Sequence, residues 1–201
     1  MSSDYRAALT EYILIQARPV DKFGHQPRLE VLTRKVGEGC AYDADIVFAA
    51  AWLHDLGVFV GHRPEDPAEL SRWNHVLYTC EHTPRILREA GFPEEKIPAV
   101  LDVMRQHQPK DDALTIEAVI LRDADILEQL GAVGILRTVS KVGRDTRFTR
   151  FTDAVTALRR SLNELPAKIR LETTRRLAEP RIRVLEEFLR GVDDEAGANL
   201  L

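Results

Sequence analysis

Leu53-His54-Asp55-Leu56-Gly57 ends an apolar run, Ile46 to Leu53, on two side chains able to bind a metal. A His-Asp pair alone arises often by chance. Its weight comes from what surrounds it: His25 about one helix upstream, His75 and His107 downstream, and Asp123-Ala124-Asp125 beyond them. Imidazole suits a borderline transition metal, and a carboxylate offsets the charge of the ion and can bridge to a second one. This set of residue types points to one metal-centred hydrolytic site, provided the intervening chain brings them together.

The elements that must do so read as helices. Residues 4–17 form a first helix ended by Pro19, and Asp21 to Gly24 is a loop. A second helix, from His25 to Val36, carries His25, Leu29, Leu32 and Val36 on one stripe, with Arg28 beside His25. Alone, His25 reads more readily as a partly buried histidine satisfied by a loop carbonyl. The third helix starts with Asp43 as N-cap and is apolar nearly all round, so it is central. Gly57 is its expected C′ residue, which puts His54 and Asp55 in its last turn. Gly57 to Ser71 is a loop rimming the site, and His62 lies in it. A fourth helix, from Arg72 to Ala90, places His75 and His82 on one face, with a kink or restart at Thr83-Pro84. A fifth, from Glu94, closes its apolar stripe on His107.

The sixth helix, capped by Thr115, is strongly apolar. A carboxylate buried there is costly unless paired or metal-bound. Asp123 falls on the Ile116/Ile120/Leu127/Leu130 stripe and Asp125 on the Ala118/Leu121 side, and periodicity does not choose between them. A salt bridge to Arg122 or Arg28 is the other reading of either. A short helix to about Lys141, a polar loop from Gly143 to Thr149 and two helices, Phe151 to Leu165 and Ala167 to about Arg190, follow, with a kink at Pro180 and frayed residues 191–201. No stretch sustains period-two alternation, so no sheet is expected. The expected fold is all-α, a single domain over 1–201 with its core at about 20–141 and a C-terminal helical extension at about 150–190.

The composition narrows the class of function. The chain has 201 residues, 30% of them charged, and a net charge of −4. No basic stripe suggests a nucleic-acid polymer as partner. The C-terminal arginines alternate with glutamates, as on a solvated helix. Two scattered cysteines, Cys40 and Cys80, make neither a disulfide framework nor a zinc ribbon. The opening Met-Ser-Ser-Asp-Tyr-Arg lacks a signal pattern, and no apolar run is long enough for a membrane span, so a cytoplasmic location is expected. A homodimer is left open.

The order His25, His54-Asp55, His75, His107, Asp125 resembles the HD-domain superfamily of metal-dependent phosphohydrolases over about residues 20–165. His25-Gln-Pro-Arg28 resembles the start of the family's first-histidine helix, and Trp52-Leu-His-Asp-Leu-Gly57 its name-giving motif. Arg85 to Pro93, followed by Met104-Arg-Gln-His107, is similar to a stretch of a small bacterial branch. Leu121 to Ile135 resembles that branch's DAD-x-L-(D/E)-x-LGA-x-GI signature, departing from it at Ile126, where relatives often carry Arg. The resemblance implies His25, His54, Asp55 and Asp125 as metal ligands. It leaves Asp123 outside the ligand set, in a supporting or structural part. It gives His75 and His107 a catalytic or second-metal role, and His82 none.

The implied activity is hydrolysis of a phosphate monoester or diester, a nucleotide among the candidates, by metal-activated water. The cofactor is a divalent transition ion, Mn, Fe, Co, Ni or Zn; one ion is expected and a second is allowed. Arg28 and His62 are candidates for phosphate contact, and the partner is a small phosphorylated molecule. Two rival readings remain at this stage. One is the di-iron oxygenase branch of the superfamily, and the other is a non-enzymatic metal-bearing regulatory module.

Overall fold

A computed structural model describes residues 4–196. Among them every regular element is helical, apart from an isolated bridge between Val60 and Arg63. The chain divides into two compact units, Met1–Arg122 and Asp123–Leu201.

The first unit holds α1 (Tyr5–Gln16), α2 (His25–Val36), α3 (Ala44–Leu53), α4 (Pro67–Ser71), α5 (His75–Glu89), α6 (Ile97–Arg105) and the start of α7 (Ile116–Gln129). Helix α3 is its axis and packs against α1, α2, α5 and α6. Its sequence explains this position. Val47 to Leu53 are all buried, and Ala49, Ala50 and Ala51 are fully so, which lets neighbouring backbones approach closely. Burying a large apolar side chain such as Phe48 or Trp52 stabilises by about 1.5–3 kcal/mol. Asp43 caps α3 as expected, accepting from the Asp45 and Ile46 N–H groups at 2.9 and 3.3 Å.

Several boundaries differ from the sequence-based expectation. Val20–Gly24, expected as loop, is a 3-10 turn, and Pro67–Ser71 is a short helix capped by Asp66. Helix α5 starts at His75 with Asn74 as cap and runs through Pro84 as one element. The Thr79 and Thr83 hydroxyls donate to carbonyls four residues back, at 2.7 and 2.8 Å. Helix α3 ends at Leu53, so Asp55 stands outside it and Gly57 is no helix C′ residue. Gly57 lies in a 3-10 turn, Leu56–Val58, and its hydrogen serves close approach. A Cβ there would sit 2.6 Å from the backbone oxygen of His75.

The second unit contains the end of α7 with α8 (Gly131–Val139), α9 (Phe151–Glu164) and α10 (Glu172–Ala196), the last three packed on one another. Gly131 has φ +75°, and an added Cβ would meet Arg181 at 3.0 Å, so conformation and space both call for glycine. The Arg181 guanidinium donates to the Leu127 carbonyl at 2.7 Å. After α9 the chain makes a 3-10 turn, Pro166–Lys168, and α10 begins only at Glu172, later than Ala167. It continues through Pro180 to Ala196, so residues 191–196 are helical; residues 197–201 lie outside those described. Among the described residues no helix is long and apolar enough to cross a membrane.

Candidate metal centre

The site is assembled from helix ends. His25 is the first residue of α2, His54 follows the last residue of α3, His75 opens α5 and His107 stands just past α6. The two residues after helix C-termini share one device. The final carbonyls of a helix lack intrahelical donors. His54 Nδ1–H donates to the Ala51 carbonyl at 3.0 Å, and His107 Nδ1–H donates to the Met104 carbonyl at 2.6 Å. Each bond reaches back three residues, satisfies an orphan carbonyl and fixes the tautomer. With Nδ1 so occupied, Nε2 is the nitrogen of each ring that would face a metal.

These Nε2 atoms converge. His25 Nε2 and His54 Nε2 are 3.4 Å apart, and both rings are buried, at 4% and 1% exposure. Two ligand nitrogens at about 2.0–2.1 Å from a tetrahedral ion are separated by about this distance. Asp55 spans the pair, with Oδ2 at 3.7 Å from His25 Nε2 and Oδ1 at 3.6 Å from His54 Nε2. Ligand atoms of His54, Asp55 and His107 all lie within 4.8 Å of one another. The rings of His107 and His75 are 6.2 Å apart between centroids.

Burial raises the carboxyl pKa of Asp55, but the surrounding imidazoles of His54, His25, His107 and His75 outweigh it and hold the acid well below its ordinary range. The group is therefore an anion at neutral pH. Among the described residues its ion-pair partners are imidazoles, with no Lys or Arg among them. These imidazoles and the carboxylate offer mixed nitrogen and oxygen donors. That donor chemistry fits a divalent ion of borderline softness.

The HD turn is clamped from outside. Gly57 N–H donates to Thr79 Oγ1 at 2.9 Å, and Trp73 Nε1–H donates to the Gly57 carbonyl at 2.7 Å. Trp52 Nε1–H donates to Glu30 at 2.9 Å, which ties the end of α3 to α2. The sequence reading missed these supports, and it also missed Gln108, whose side-chain amide meets His75 Nε2 at 3.3 Å. Its one signal in the sequence is an amide next to a site histidine.

The remaining candidates have these surroundings. Both nitrogens of His62 are engaged, Nδ1 with the Tyr78 hydroxyl at 3.0 Å and Nε2 with Gln16 Oε1 at 2.8 Å. Burial, with His82 nearby, pushes its pKa down. This ring joins α1, the loop and α5. His82 stacks on Tyr78 with centroids 3.9 Å apart. Arg28 lies one turn along α2 from His25, with its guanidinium beside Gly24. Asp123 accepts backbone N–H bonds from Arg170 and Leu171, at 2.9–3.2 Å, and so anchors the segment entering α10. Asp125 belongs to the second unit, where Gln129 Nε2–H donates to its Oδ2 at 3.1 Å.

No curated protein matches the chain. Solved structures share its fold. YpgQ of Bacillus subtilis, in complex with ADP, is 22% identical with a TM-score of 0.75 over 98% of both chains. Lin1889 of Listeria innocua is 18% identical with a TM-score of 0.73, again over 98% of both. An HD-superfamily hydrolase of Bacillus thuringiensis is 21% identical with a TM-score of 0.69 over 97% of both. Residues 23–130, more than half of the 201, match the HD domain, and they contain every residue of the cluster together with Asp125. The chain belongs to the HD domain family.

Proposed function

We propose that the protein is a metal-dependent phosphohydrolase acting on a small phosphate ester. The observation that carries this reading is the facing pair of buried Nε2 atoms, 3.4 Å apart, with an ionised carboxylate across both. His25, His54 and Asp55 would hold the ion, and Asp125 would complete the set, as the family pattern implies. A bound divalent ion supplies Lewis-acid polarisation of a phosphoryl oxygen and makes water acidic enough to attack at neutral pH.

The chain's own groups do the rest. Asp55, kept anionic, orients the two imidazoles and balances the added charge. His107, its Nδ1 held by the Met104 carbonyl, is placed to take up a proton at Nε2 and, once protonated, to hold a phosphate oxygen. His75 would share that work, with Gln108 fixing its ring. Helices α2 and α5 both begin at site histidines, and helix N-termini favour anions. The ADP bound to YpgQ supports including nucleoside diphosphates among the compounds tried.

The test is a panel of phosphate monoesters, diesters and nucleotides offered to protein reconstituted with Mn, Fe, Co, Ni or Zn in turn. Turnover that needs the ion and disappears in Asp55→Ala is the expected result. A fully metal-loaded protein inert toward the whole panel contradicts the proposal.

A further inference from the structure

Beside His75 and Gln108 the first unit has an open cleft of about 360 Å3, within the size range of small-ligand pockets. One wall is the outer face of α5, with Val76, Leu77 and Cys80; Leu77 is 57% exposed, unusual for so large an apolar side chain. The other wall carries Arg105, Gln108 and Lys110. Glu81 and Asp111 also reach it, and Asp111 is committed to the Gln108 N–H at 3.0 Å. The loop forming this wall is internally braced. Leu114 N–H donates to Gln106 at 2.8 Å, and Arg122 donates to the Asp111 carbonyl at 3.0 Å.

Two features link the cleft to the metal centre. Gln108 lines the cleft and also touches His75. Lys110 follows His107 by three residues, a chain span of at most about 10 Å. An exposed apolar side chain, Leu77, and a flexible cation, Lys110, line the same cleft with hydrogen-bonding groups beside them. Such walls suit a ring system that has an apolar face, polar edges and a negative charge nearby.

We infer that this cleft holds the non-reacting part of the substrate: a nucleoside-sized, ring-bearing group attached to the phosphate, set on Leu77 and steered by Lys110. The inference rests on the phosphohydrolase reading for its chemistry, but it is tested by binding alone. The probes are ADP and inorganic phosphate, titrated by calorimetry into manganese-reconstituted protein, with manganese per chain measured on each sample. The variants are Leu77→Asp and Lys110→Ala. Leu136→Asp, at an exposed leucine of α8, is the control, and thermal melting checks folding.

The expected result is that Leu77→Asp weakens ADP binding about tenfold or more, since a buried leucine contact is lost. Lys110→Ala weakens it about threefold, as a rim charge does. Phosphate affinity and manganese content stay at the wild-type level throughout, and Leu136→Asp changes nothing. The inference is overturned if both cleft variants bind ADP like the wild type. It is also overturned if phosphate weakens in parallel with ADP, or if the wild type binds ADP no more tightly than phosphate. Normal binding results with no turnover of any ester would sink the phosphohydrolase reading and leave the cleft assignment standing.

Discussion

The two ends of α3 carry similar acids in opposite circumstances. At its start, Asp43 and Asp45 both meet Lys96, at 2.8 and 2.9 Å. Asp45 also takes Arg6 at 2.7 Å and a short hydrogen bond from the Tyr5 hydroxyl. Fixed cations and a phenol balance these charges, and the cluster joins α1, α3 and the approach to α6. At the other end, Asp55 meets the imidazoles of His25 and His54, groups that can also ligate a metal. One end is a closed set of ion pairs. The other gathers imidazoles and a carboxylate, the donor set of a transition ion. An acid set among imidazoles thus marks a candidate site, and one set among lysine and arginine a brace.

The sharpest way to break this contrast is at Asp55. Asp55→Ala should abolish metal retention and lower turnover on the order of 10^3-fold, several kcal/mol of transition-state stabilisation. Mass-spectrometric metal analysis with steady-state kinetics checks it. The Asp-Ala-Asp pair offers the next test. Asp123→Ala removes the acceptor of the part-buried Arg170 and Leu171 N–H groups and should cost about 1–3 kcal/mol, with metal content unchanged. Asp125→Ala should do the reverse, losing metal at little cost in stability. Urea denaturation and metal analysis on the two variants separate the roles.

Gly57→Ala probes the clamp between the ends. Its Cβ would press on His75 backbone, so a loss of about 1–3 kcal/mol is expected, with weaker metal binding. The smallest effect belongs to the braced end. Lys96→Met should lower the melting temperature by about 2–4 °C at neutral pH and leave metal content intact. The same cluster sets a pH dependence. The acid pKa values of Asp43 and Asp45 lie below their ordinary range. For Asp43, burial works against this, and Lys96 with the Asp45 and Ile46 N–H groups prevails; for Asp45 the Tyr5 and Lys96 hydrogen bonds dominate. Their contribution is therefore full above about pH 4, the unfolded value, and fades as pH falls through the depressed folded values. Lys96 is shifted up by the same partners, so its share fades only in strong alkali. Lys96→Met should flatten the acid limb of the melting curve between about pH 4 and 2.

The helices were legible because their apolar stripes and caps are local. His25 to Val36 was read to the residue, and the Asp43 and Thr115 caps were correctly placed. The convergence of His25, His54, Asp55 and His107 was expected from order and residue type. What stayed hidden depends on contacts distant in sequence. Gly57 looked like a helix terminator because glycine after a helix usually is one, whereas its purpose lies against His75, far along the chain. Pro84 looked like a break because a proline inside a helical pattern usually is one, whereas α5 continues through it. Asp123 was ambiguous because its partners are backbone groups of a segment about fifty residues on. His62 and Tyr78 showed no pattern of their own, so their bond could be found only in three dimensions.

The central claim is that the imidazoles and the carboxylate at the end of α3 enclose a cation. Its most direct measurement is metal per chain after reconstitution and exhaustive dialysis, on the wild type and on His25→Ala, His54→Ala and Asp55→Ala. The account predicts at least one tightly held transition ion in the wild type and near zero in each variant, with all four proteins folded. A wild type that retains no transition ion, or variants that retain it undiminished, would contradict it.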